Sequence, residues 1–174
     1  MKKWVVSLLA GLGLNAAWAA DGYIGASLGS SHFNVDCAGT FQCSDSDVGL
    51  KLYGGLPINQ NVALEVGYTD FGQFEIDHGA VSVSALTVGV ALRAPINHHI
   101  NVVGRLGVAA MSTEGSGWLA HRSENHTQFL AGIGLESPLN KNWKVQGGLD
   151  LTSFDYLGDS GSLYMLHVGV QYGF

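Results

Sequence analysis

Apolar and polar residues alternate with period two along most of this chain. Val62, Leu64, Val66 and Tyr68 share one parity, and Glu65, Gly67 and Thr69 hold the other. Leu86, Val88, Val90 and Leu92 stand against Thr87, Gly89, Ala91 and Arg93. Phe129, Ala131, Ile133 and Leu135 stand against Gln128, Gly132, Gly134 and Glu136. Successive side chains of a strand point to opposite faces, so each run predicts a strand with one apolar face. Similar runs begin near Val48, Val102, Trp143 and Tyr164, and a weaker one covers Gly22 to Phe33. No apolar pattern with a helical period occurs.

Three short segments punctuate these runs in one way. Pro57-Ile58-Asn59-Gln60-Asn61-Val62, Pro95-Ile96-Asn97-His98-His99-Ile100 and Pro138-Leu139-Asn140-Lys141-Asn142-Trp143 share an order of residue types: proline, aliphatic, asparagine, any residue, polar, large apolar. Asn tolerates positive φ, while Pro fixes φ and removes a ladder donor, so each segment predicts a tight hairpin turn. The prolines are 38 and 43 residues apart, room for two strands and a longer loop between turns. Three tight turns plus the chain ends predict eight strands of about 10 residues, the length a tilted strand needs to cross a bilayer. The longer loops fall at about Asn34 to Asp47, Gly72 to Gly79, Glu114 to Asn125 and Asp155 to Gly161.

Composition decides what each face meets. The chain holds 25 Gly, is 47% hydrophobic and only 13% charged, against about 25% charge in a soluble domain. The polar parity is too rich in glycine and too poor in charge for a face bathed in water. It fits a crowded interior with the apolar parity turned to lipid. A soluble barrel or sandwich, with the apolar parity inward, is the alternative that these features weigh against. An open sheet would carry two unpaired edges into lipid, whereas closure pairs every backbone group. The expected fold is all-β: an eight-stranded antiparallel transmembrane up-and-down β-barrel in outer-membrane lipid and lipopolysaccharide. Its turns are expected in the periplasm and its loops outside.

Residues 1–19 read as a signal peptide, with residues 20–174 as the barrel. Lys2 and Lys3 precede an apolar run from Trp4 to Leu14, and Ala17-Trp18-Ala19 supplies small residues for cleavage after Ala19. A membrane-spanning helix would need about 20 apolar residues. Without Lys2 and Lys3 the chain keeps 6 basic residues against 14 acidic ones. That balance opposes binding to nucleic acid.

The inward parity carries Lys51, Glu65, Arg93, Arg105, Glu136, Lys144 and Asp150, with His167 among them. An eight-stranded barrel is just wide enough for side chains to fill, so these charges must pair or hydrogen-bond. Two readings follow: a polar plug that sets register, or a gated ion path opened by exchange of partners. Cys37 and Cys43 fall in the first loop and are expected to form a disulfide in an oxidising compartment. Closing so small a ring contributes about 2–2.5 kcal/mol, so its effect is on local loop shape. His121, Glu124 and His126 match no strong metal spacing and read as solvated loop residues, as do His98 and His99. No metal or cofactor is expected. A lipid-modifying enzyme would need a nucleophile, a base and an acid together; Ser30, Ser31, His32 and Asp36 are the only local grouping of that kind, and it is weak.

The chain resembles the OmpA-like family of outer-membrane barrels, in the form that consists of the membrane domain alone. The resemblance rests on Tyr23-Ile24-Gly25-Ala26-Ser27-Leu28-Gly29, on Lys51-Leu52-Tyr53-Gly54-Gly55 and on Leu64-Glu65-Val66-Gly67-Tyr68-Thr69-Asp70-Phe71-Gly72. It rests also on the terminal Val168-Gly169-Val170-Gln171-Tyr172-Gly173-Phe174, similar to the strand that the barrel-assembly machinery recognises, with Tyr172 and Phe174 as its signal. The resemblance implies a non-enzymatic integral outer-membrane protein with an envelope or adhesive role and loops for extracellular contacts. It implies that Lys51, Glu65 and Arg105 belong to an interior ion-pair network. The sequence departs from full-length members in the family's peptidoglycan-binding domain, which leaves a tether to the cell wall an open expectation.

Overall fold

A computed structural model of the chain describes residues 22–34, 43–44, 46–76, 79–117, 123–156 and 159–174. The strands are β1 (Tyr23–Asn34), β2 (Cys43–Ser44), β3 (Ser46–Pro57), β4 (Val62–Ile76), β5 (Gly79–Pro95), β6 (Asn101–Gly117), β7 (Ser123–Pro138), β8 (Trp143–Tyr156) and β9 (Asp159–Gly173). β2 is a two-residue piece on the edge of β4, pairing Cys43 with Ile76 and Ser44 with Glu75. The eight long strands are all antiparallel to their neighbours. They close when β9 pairs β1, from Tyr23↔Gly173 to Asn34↔Ser162. The barrel therefore has no open edge through the lipid, and every long strand has two partners.

Each proline–asparagine segment forms the same turn. The Asn59 side-chain oxygen accepts from the backbone N–H groups of Asn61 and Val62, at 2.9 Å each. Asn97 does the same for His99 and Ile100, and Asn140 for Asn142 and Trp143. Two of the turns are also stitched to the next strand: Asn61 Nδ2 donates to the Arg93 carbonyl and Asn142 Nδ2 to that of Gly173. We expect Asn59→Ala to cost about 1 kcal/mol by analogy with loss of a helix cap, and Asn59→Asp, which keeps the acceptor, to cost less. Urea titration of the refolded barrel, read as heat-modifiable gel migration, checks this; equal midpoints for both variants would contradict it.

The strands run 12–17 residues rather than about 10. Beyond the lipid band the backbone ladder continues, because strand pairing depends on hydrogen bonds and not on which solvent bathes the outer face. The extension inverts the alternation. In the band Leu86, Val88 and Leu92 of β5 point outward and are about half exposed, while Ala91 is buried inside. Closer to the loop end, Val83 and Ala85 are buried and the outward positions pass to Ser82 and Ser84. β6 repeats the change with Ala109 and Met111 buried; on β9 Leu163 and Met165 are buried inside while Tyr164 and Leu166 still face outward. Where lipid lies outside, apolar residues face out; where water lies outside, they face in. The charged, glycine-rich interior expected from the sequence therefore holds for the turn half, and larger apolar side chains fill the loop half.

Two local features shape the wall. Tyr23 sits opposite Gly55 and Tyr53 opposite Gly25, so each ring lies over the other strand's glycine. A Cβ at either glycine would fall 2.1 Å from the opposing ring. In β4 the register against β5 shifts between Asp70 and Gln73, a bulge with Gly72 at φ 84°. Asp70 Oδ1 accepts from the Gly72 N–H at 3.0 Å and Asp47 Oδ2 from that of Gln73 at 2.7 Å.

Candidate functional site

The chemistry of the described residues is concentrated inside the turn half of the barrel. Because inward residues recur at every second position, β3 through β9 each deliver polar groups to the same narrow space. Five charges form a chain of alternating sign: Lys144, Glu136, Arg93, Glu65 and Arg105. Lys144 Nζ donates to Glu136 Oε1 at 2.9 Å, and Arg93 Nε lies 3.3 Å from Glu136 Oε2. Arg93 also reaches Glu65 Oε1 at 3.5 Å, and Arg105 Nε donates to Glu65 Oε2 at 2.9 Å. Lys51 and Asp150 make a separate buried pair, with His167 Nε2 3.4 Å from Asp150 Oδ2. All seven charges expected inside the barrel thus lie in two connected groups. Lys144 marks the open end of the longer one, its side chain 35% exposed against 1% for Glu136.

Neutral groups that sequence reasoning did not single out complete the network. The Tyr23 hydroxyl donates to Glu65 Oε1 at 2.6 Å, and Asn101 Nδ2 to Glu136 Oε1 at 3.1 Å. Arg105 donates to Gln146 at 2.8 Å, and Gln146 in turn to the Ser27 hydroxyl at 3.0 Å. Tyr53 donates to Gln171 at 3.3 Å. The Arg93 guanidinium lies 4.7 Å from the Tyr23 ring centre and that of Arg105 5.5 Å from Tyr53. These aromatic faces offer a further contact to cations removed from water. Parity alone would have found Tyr23, Gln146 and Gln171: Gln146 is two residues from Lys144 on β8, Gln171 pairs with Lys144 across β8–β9, and Tyr23 shares the face of Ser27, which pairs with Lys51.

Buried ions lose hydration, and only partners at good geometry repay that loss. Here the carboxylates of Glu65 and Glu136 each meet three donors, so the network is closely satisfied. Asp150 Oδ1 and both His167 ring nitrogens lack hydrogen-bond partners. A cavity of about 20 Å3 beside Lys51, Thr87 and Arg105 has room for about one water. Larger concavities of about 540 and 630 Å3 open on the outer wall, over Ala26 and Gly54 and over Gly147, inside the lipid-facing band.

The other sequence-derived candidates fall outside the interior network or outside the described residues. Ser31 is fully buried inside, whereas His32 lies on the outer face stacked on Tyr164 with ring centres 4.9 Å apart. Neighbouring strand residues point to opposite faces, so these two cannot act on one substrate; Ser30 shares the outer face with His32. Asp36, Cys37 and His121 lie outside the described residues, and Cys43, Ser44 and Glu124 are described only in their backbone. Among the described residues no group of three His, Cys, Asp or Glu is placed to hold a metal. Trp143, Tyr172 and Phe174 form an edge-to-face cluster at the turn end, with centres 5.1 and 5.8 Å apart. The amphipathic rings of Trp143 and Tyr172 suit the boundary between lipid and water.

Comparison with known proteins fits this architecture. Residues 17–163 match the model of the OmpA-like transmembrane domain. The chain is 27% identical to outer membrane protein A of Serratia marcescens over 87% of its own length and 49% of that protein. It spans about half the length of the curated relatives it matches. Among solved structures, Neisserial surface protein A superposes with a TM-score of 0.74 at 10% identity, covering 88% of this chain and 97% of that one. Ail of Yersinia pestis, solved with the heparin analogue sucrose octasulfate, gives 0.52 at 17% identity, covering 87% and 99%. A closed antiparallel barrel with a lipid-facing apolar band, matched over most of its length by one family, is an outer-membrane β-barrel, and this chain belongs to the OmpA-like transmembrane domain family.

Proposed function

We propose that this chain is a filled, non-enzymatic barrel with a structural role in the envelope, exported by a signal peptide cleaved after Ala19. Its three tight turns face the periplasm and its loop end faces outward. The observation that carries the reading is the occupied interior: an ion-pair chain in the turn half and packed apolar side chains in the loop half. In this reading Cys37 and Cys43 close a small ring that shapes the first loop. Tyr172 and Phe174 end the strand offered to the assembly machinery.

Contacts with the outside fall to the loop end. By sequence it carries Asp36, Asp45, Asp47, Asp70, Glu75, Asp77, Glu114, Glu124, Asp155 and Asp159 against Arg122 as its one Lys or Arg. That balance opposes a polyanionic ligand of the kind seen with Ail. Planar-bilayer recordings of the purified protein test the filled barrel: no conductance steps are expected. Steps in the wild type would replace this reading with a narrow pore. A lipid A mass profile altered by overexpression would instead reveal an enzyme.

A further inference from the structure

The interior changes character along the barrel axis. Hydrogen-bonded charges give way to a layer built from Phe71, Val83, Ala109, Met111, Leu163 and Met165, each at most 2% exposed. The layer is assembled from two sides. The β3–β4 ladder stops at Leu50↔Asp70 and the β7–β8 ladder at Leu130↔Thr152. In the ring these two seams lie opposite each other, with four long strands on either side. One side supplies Phe71, Val83, Ala109 and Met111, and the other supplies Leu163 and Met165. Beyond the second seam the sides are linked through side chains: Thr152 Oγ1 donates to the Phe129 carbonyl at 3.0 Å and Ser153 Oγ to Gln128 Oε1 at 2.9 Å.

We propose that this apolar layer, and not the ion-pair chain, is the barrier that closes the barrel to ions. The inference rests on the filled-barrel reading and deepens it. An ion entering the turn half meets carboxylates, guanidinium groups and amides that replace its hydration water. At the apolar layer it meets large apolar side chains with only a few hydroxyls among them, those of Ser31 opposite Met165 and Thr113 opposite Val83, so it must shed most of its water without compensation. Exchange of partners among Lys51, Glu65 and Arg105 would widen a chamber that still ends at this layer. Only exchange of its large apolar side chains for smaller polar ones lets a continuous file of water through.

Three proteins recorded in planar bilayers test this: the wild type, Lys51→Ala and the double variant Met111→Ser/Met165→Ser. Heat-modifiable migration first establishes that each is folded. Discrete conductance steps are expected in the double variant and absent from both others. A silent, folded double variant, or steps in Lys51→Ala, overturns the inference. Conductance by the wild type overturns the filled-barrel reading instead. Should the double variant not fold, Val83→Ser removes less volume from the same layer, and its silence when folded counts equally against the inference.

Discussion

Glu65→Ala is expected to destabilise the barrel by about 3–5 kcal/mol, the cost of breaking a buried ion pair by removing one partner. Glu65 is the acceptor on which Tyr23, Arg93 and Arg105 converge from three other strands. Without it Arg105 keeps only Gln146 as a hydrogen-bond partner at 2.8 Å, and a buried guanidinium faces a void. Glu65→Gln retains an acceptor for one donor and is expected to fall between. Lys144→Ala is the contrast: a half-solvated ammonium at the mouth contributes about 0–1 kcal/mol. Urea unfolding in one lipid or detergent, with all four proteins refolded in parallel, ranks them. If Glu65→Ala and Lys144→Ala shift the midpoint equally, the interior network is not what holds the turn half together.

Val88→Arg is expected to cost about 2–4 kcal/mol, the penalty for a cation on the lipid face near the bilayer midplane. Val88 is 53% exposed and pairs with Val66 at the same level of the outer wall. On a surface in water such a change would stay within about 0.5 kcal/mol. Ser84→Arg lies on the same face of the same strand, past the point where the alternation inverts, and is expected to cost about 0–1 kcal/mol. The ratio between the two places the lipid boundary on β5. Similar penalties at both sites would mean that the boundary lies elsewhere, and a negligible cost at Val88 would leave the outer face without lipid.

Much of this fold is legible in the linear pattern because a strand in lipid obeys two rules at once. Period-two alternation names the outward residues, and glycine with isolated charges names the inward ones. Lys51, Glu65 and Arg105 could be assigned to one space without coordinates, since an eight-stranded interior has only one. The turns were legible for a different reason: an asparagine oxygen that caps two N–H groups acts within four residues, so its geometry is local. The loop half was harder to read. Val83 and Ala85 alternate with Ser82 and Ser84 as regularly as the lipid band does, but with the opposite sense. A pattern that assigns apolar residues to lipid misplaces strand ends where the outer medium changes to water.

The sequence by itself determined that residues alternate, where the chain turns, how many strands close the barrel and which charges must share its interior. These follow from backbone geometry and from the cost of unpaired polar groups in lipid, both of which act along the chain. Only the tertiary structure decided which charge meets which, because the alternating order from Lys144 to Arg105 is set by the stagger of strands around the ring. It decided also that Phe71 and Met111 meet Met165 across the barrel to form one layer. The contacts of that layer join residues 40 to 94 positions apart in the chain, and no local rule of the sequence reaches that far.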